Sequence, residues 1–156
     1  MMKTQHKAYE DDLEILGFDT MTFKHRGFTG VIVRHNNLGT LCGYVSVPKK
    51  HPLYGLDYDT IERRWDMYSH GGLTFSSDSL MSLDKGWYIG FDCAHANDYI
   101  PLSGYTYTMD MGIFYRDVTY VKETVQELID QMIEIAEDNY NDEYITEGED
   151  FYGYDD

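Results

Sequence analysis

The chain has only two cysteines, Cys42 and Cys93, among its 156 residues. Two are too few for a disulfide framework and fit a reducing compartment. Long apolar runs are also missing: none approaches the roughly 18 residues a membrane span requires, so no membrane partner is expected. The N-terminal M-M-K-T-Q-H-K-A-Y-E carries charge without a following apolar stretch, and no secretory signal is expected. Neither C-x-x-C nor H-E-x-x-H occurs, which removes the two most specific metal and redox motifs. Basic residues are absent from the last fifth of the chain. All 12 Lys and Arg fall within residues 1–122, beside 15 of the acids, whereas residues 123–156 carry 13 acids and no Lys or Arg. The formal charge of −16 therefore belongs mostly to the C-terminal segment. Such a surface repels nucleic acid at long range, so direct binding to DNA or RNA is not expected. A soluble cytoplasmic protein is the expectation.

What is present organises into one domain. Residues 1–139 read as a single α+β domain, and 140–156 as an acidic, aromatic-containing tail without helical or strand period. Tyr9, Leu13 and Leu16 at helical spacing, with Gly17 as a stop, predict a short first helix. Phe23 to Val47 is β-branched and aromatic around N-N-L-G-T, which predicts a hairpin. Gly27, Gly30 and Gly43 within it suggest a bulge or a close approach of another group. Pro48, Pro52 and Gly55 make the next stretch a rigid connector, and Asp59 or Thr60 is expected to cap a short helix after it. Two central strands are predicted at Gly72–Ser76 and Trp87–His95, and the loop Asn97–Gly112 has room for one more short strand. In V-T-Y-V-K-E-T-V-Q-E-L-I-D-Q-M-I-E-I-A-E, the residues Val121, Val125, Leu128, Ile129, Met132, Ile135 and Ala136 form one apolar stripe with carboxylates opposite. The expected architecture is an antiparallel sheet of about four strands packed against this long C-terminal helix and shorter helices.

Most of the chemically able side chains fall between Ser69 and Asp98. Strand alternation sends Trp87, Ile89, Phe91, Cys93 and His95 to the core side and Tyr88, Gly90, Asp92 and Ala94 to the other. By the same rule Leu73 and Phe75 join the core side, while Thr74 joins Asp92. Cys93 then reads as a small core hydrophobe more than as a thiolate served by His95 or His70. Cys93, His95, His70 and Asp98 supply the atoms zinc prefers, but the diverging directions of Asp92 and Cys93 argue against convergence. No cofactor is therefore assigned, with zinc as the lesser alternative. His70 followed by Gly71 and Gly72 suits a loop that turns backbone N–H groups toward a ligand, or equally a turn that simply needs positive φ. Lys49, Lys50 and His51 form a small cationic cluster, with Arg63 and Arg64 nearby, suited to an anionic group such as a phosphate. Tyr54, Tyr58, Tyr99, Tyr105 and Tyr107 offer rigid aromatic area to a pocket or interface. The candidate ligand-binding set is His70, Gly71, Gly72, Thr74, Asp92, His95, Asp98, Lys49, Lys50, His51 and Tyr54. An uncovered sheet face or edge makes homo-oligomerisation a further expectation.

The segments P-K-K-H-P-L-Y-G (48–55), S-H-G-G-L-T-F-S (69–76), W-Y-I-G-F-D-C-A-H-A-N-D (87–98) and Y-R-D-V-T-Y-V-K (115–122) together resemble a family of small, uncharacterised bacteriophage and prophage proteins. The resemblance covers the central half of the chain and implies a phage context inside a host cell. It brings no reaction and no catalytic residues. Phage accessory proteins of this size often counter host defence, an associational argument. Three functions are compatible with that context. The first is binding of a small anionic, nucleotide-derived ligand, sequestering a host defence signal. The second is hydrolysis of such a ligand, metal-dependent or not, through His70, Asp92 and His95. The third is an acidic inhibitor or nucleic-acid mimic that occupies a host protein through residues 123–156. Glycines, aromatics and cations gathered in loops, without a compelling nucleophile–base spacing, favour the first.

Overall fold

The computed structural model describes residues 4–104 and 112–142, with side chains to 138. The expected short strand after Asn97, Tyr105 and Tyr107, and most of the acidic tail lie outside the described residues. The described elements run α1 (Gln5–Leu13), β1 (Thr20–His25), β2 (Phe28–Arg34), β3 (Leu41–Ser46), α2 (Tyr58–Arg64), β4 (Phe75–Ser77), β5 (Tyr88–Asp92) and α3 (Val118–Asp142). Five strands form one antiparallel sheet in the order β1-β2-β3-β5-β4. The α+β class expected from the sequence is what forms. No helix among the described residues is long and apolar enough to cross a membrane.

The segment expected to form a hairpin from Phe23 to Val47 holds a further turn, between β1 and β2. Arg26 and Gly27 both take positive φ, 52° and 84°, and form a two-residue turn that pairs His25 with Phe28. Positive φ at both central positions is the geometry whose twist matches an antiparallel hairpin. Gly27 is thus a turn residue. Gly30 and Gly43 have a different purpose, because a Cβ on either would lie 2.8 or 2.7 Å from a methyl of Val125. Their bare backbone lets α3 settle close on β2 and β3.

The apolar stripe of α3 meets Ile32, Val45, Ile89 and Phe91 on one sheet face. Each fully buried aliphatic side chain there stabilises by roughly 1.5–3 kcal/mol relative to exposure. Val121, Val125, Leu128, Ile129 and Met132 are all fully buried, so this layer carries the fold. The opposite face bears a smaller cluster of Val31, Val33 and Tyr88, covered by Leu80 and Leu83 of the β4–β5 connection. Phe75 belongs to this second cluster, not to the core side where alternation from Leu73 had put it. β4 begins only at Phe75, so Leu73 and Thr74 lie outside it and the regular alternation does not run through them.

A buried ion pair locks the far end of the sheet. Arg34, 1% exposed, donates to Asp12, to the Tyr115 hydroxyl and to the carbonyls of Leu16, Gly17 and Gly39. Asp12 in turn accepts the Val118 N–H at the start of α3. One guanidinium thereby ties α1, β2, the β2–β3 turn and α3 together.

Candidate functional site

β5 ends at Asp92, so Cys93 to Asn97 form a turn rather than the strand continuation expected through His95. The chain then runs beside residues 113–115: Asp98 bridges Phe114, the Tyr99 N–H donates to the Phe114 carbonyl at 2.8 Å, and the Phe114 N–H to that of Asn97 at 2.9 Å. This pairing carries Asp98 next to Arg116 and to the first turn of α3.

Asp98 is 2% exposed and is surrounded by donors. His70 Nε2 lies 2.8 Å from both carboxylate oxygens, Arg116 Nε donates to Oδ1 at 2.8 Å, and the His95 backbone N–H donates to Oδ2 at 2.9 Å. Burial raises the carboxyl pKa, but the bonds from His70, Arg116 and His95 outweigh it and hold Asp98 below the usual carboxylate range. The other nitrogen of His70, Nδ1, meets the Tyr120 hydroxyl at 2.7 Å. His70 is thus fixed at both ring nitrogens, with the Tyr120 ring edge-on at 5.3 Å.

The His95 ring lies against Gly71, where a Cβ would fall 2.5 Å from it, and 5.6 Å from the His70 ring. Its Nε2 is buried and takes no hydrogen bond among the described residues, although Asp92 Oδ1 is 3.4 Å away without the alignment of a bond. Ser69 Oγ, one residue before His70, is buried and likewise unpartnered among the described residues. Arg116 places its guanidinium 5.2 Å from the Tyr120 ring centre. Beyond the Nε bond to Asp98, its Nη1 and Nη2 have no hydrogen-bond partner among the described residues. The N–H groups of Gly71 and Gly72 are open in the same sense. Asp92 accepts the Thr74 hydroxyl at 3.0 Å and the Ala94 N–H at 3.0 Å. Beside Thr74 and Asp92 opens a cleft of about 420 Å³ on the sheet face away from α3.

The structure therefore brings together His70, Gly71, Gly72, Thr74, Asp92, His95 and Asp98. Lys49, Lys50, His51 and Tyr54 stand elsewhere. His51 is 3% exposed, accepts the Leu53 N–H on Nδ1 and bonds the Met132 carbonyl through Nε2 at 2.7 Å. Met132 is twelve residues, about 18 Å of helix, beyond Tyr120. Tyr54 packs toward Trp87, and Lys49 and Lys50 are exposed. Arg63 pairs with Asp59 and Arg64 lies over Trp65, so both are engaged on their own helix. Asp57, not Asp59 or Thr60, caps that helix.

Cys93 is 1% exposed, and burial, with the Asp98 charge second, pushes its thiol pKa far up. Cys42 is pushed up to about 11, also by burial first. Neither is poised as a thiolate. Among the described residues, no group of three or more His, Cys, Asp or Glu is arranged to hold a metal ion.

Arg116 and Tyr120 were not singled out from the sequence. Their signal was present in Y-R-D-V-T-Y, where Asp117 caps α3 by accepting the Tyr120 N–H and so fixes both neighbours at the helix start. Comparison with protein-family models, with curated proteins and with solved structures finds no match.

Proposed function

We propose that the protein binds a small anionic, nucleotide-derived ligand at the corner formed by Arg116, His95 and the Gly71–Gly72 backbone. The observation that carries this reading is that Arg116 Nη1 and Nη2 have no hydrogen-bond partner among the described residues, while Asp98 holds both the Arg116 Nε and the His95 backbone N–H. A guanidinium fixed through Nε presents its remaining N–H groups as a planar fork, the geometry that suits a phosphate. Four donor contacts spend the Asp98 charge, so this carboxylate does not oppose an incoming anion. The phage resemblance of the central motifs supports a host defence signal as the ligand, sequestered in the cytoplasm of the host cell.

Hydrolysis is the second reading, favoured by the order Tyr120 hydroxyl, His70 imidazole, Asp98 carboxylate, which matches a nucleophile, its base and an orienting group. The phenol weakens it. Burial first, and Tyr68 second, raise the Tyr120 pKa, the opposite of what an activated nucleophile needs.

Calorimetric titration with nucleoside 5′-monophosphates and the matching neutral nucleosides tests the binding reading. The phosphate is expected to improve affinity tenfold or more, since a hydrogen bond to a charged group contributes roughly 1.5–3 kcal/mol. Arg116→Gln is expected to remove most of that advantage, and added salt to reduce it. Equal affinity for nucleotide and nucleoside in the unaltered protein would sink the reading without reference to the variant.

A further inference from the structure

We infer that the 420 Å³ cleft beside Asp92 is the subsite for an amino-bearing nucleobase of that ligand, with Asp92 as the residue that selects it. The inference rests on the anion corner at Arg116 for the other end of the ligand. The cleft meets that corner at Asp92, whose Oδ1 is 3.4 Å from His95 Nε2. Its aromatic wall is built from Tyr44 and Phe75, edge-to-face with ring centres 5.0 Å apart. Both residues pair with Gly90 on β5. A Cβ there would fall 2.4 Å from the Tyr44 ring, so the bare glycine lets the aromatic wall close on the sheet.

Two polar groups on the rim have opposite character. His35 Nδ1 accepts the N–H groups of Asn37 and Leu38, each at 3.1 Å. The neutral ring therefore carries its proton on Nε2, a donor with no partner among the described residues. Asp92 spends one lone pair of each oxygen, Oδ2 on Thr74 and Oδ1 on Ala94, which leaves acceptor capacity on both. An aromatic wall between a fixed donor and a carboxylate acceptor fits a planar heterocycle with a ring acceptor and an exocyclic amine. A carboxylate accepts from such an amine, whereas the carbonyl oxygen of hypoxanthine at the same place would face it acceptor to acceptor.

The test is calorimetric titration with AMP, IMP, adenosine and ribose 5-phosphate. AMP and IMP differ at the 6-position, where an amine is replaced by a carbonyl. Tenfold or greater preference for AMP over IMP, reduced to near parity in Asp92→Asn, is the expected result. Phe75→Ala is expected to bring AMP down toward ribose 5-phosphate. If AMP, IMP and ribose 5-phosphate bind alike, or if Asp92→Asn keeps the preference, the subsite assignment is overturned. Adenosine binding as tightly as AMP, with no binding of ribose 5-phosphate, removes the anion corner and leaves the base subsite standing. No binding by any of the four overturns both.

Discussion

His51 is held neutral by burial, with a pKa pushed down to about 4 from an ordinary 6.5. The unfolded chain therefore takes up a proton at this histidine before the folded one does. Its contribution is complete above pH 6.5 and is lost as pH falls from about 6.5 to about 4. The shift corresponds to roughly 3 kcal/mol at 1.36 kcal/mol per unit. Urea unfolding across this window should show that loss, and His51→Gln should flatten it. A stability profile unchanged by the substitution would contradict the assignment. Asp98 has the depressed pKa of a bonded carboxylate, so its contribution is present above the ordinary value near 3.8 and fades only at lower pH. The two acid losses are thus separable by pH. Residue type and local spacing could identify His70, Asp92, His95 and Asp98 as chemically able, because they crowd within thirty positions. They could not separate His51 from Lys49 and Lys50. That separation depends on a Met132 carbonyl 81 positions away, a contact no local pattern encodes.

At the scale of elements, periodicity was informative where one face is buried continuously. The stripe from Val121 to Ala136 gave α3 and its orientation, and alternation put Ile89, Phe91 and Cys93 on the core side of β5. Alternation failed at Phe75, because Leu73 and Thr74 lie outside β4 and the strand's alternation does not extend back through them. The Arg26–Gly27 turn was hidden because apolar and β-branched residues continue on both sides of it. Arg34 was invisible as a structural group, since an arginine at a strand end ordinarily reaches solvent. Here it fills the junction of three elements with its N–H groups bonded. Arg34→Met leaves the Asp12 carboxylate buried with its cation gone, which typically costs roughly 3–5 kcal/mol. Thermal and urea unfolding should both show a loss of that order. A variant as stable as the parent would show that the pair does not join α1 to α3.

Across the whole molecule, the acids are concentrated in the sequence after Lys122, whereas Arg116 and Tyr120 stand at the start of α3. The sheet provides a core face for the helix and a second face whose aromatic cluster stops short of Asp92, leaving the cleft. On the proposed reading the ligand lies at this end of the sheet, and the Tyr120–His70–Asp98 chain serves to position the loop that carries Gly71 and His95. The most direct measurement is mass spectrometry of small molecules released by denaturation, after the protein has been incubated with a mixture of nucleotide messengers and repurified. Recovery of an intact nucleotide in stoichiometric amount, from the parent and from Tyr120→Phe alike, is the expected result. A converted product that disappears in Tyr120→Phe, or no retained nucleotide at all, would contradict it.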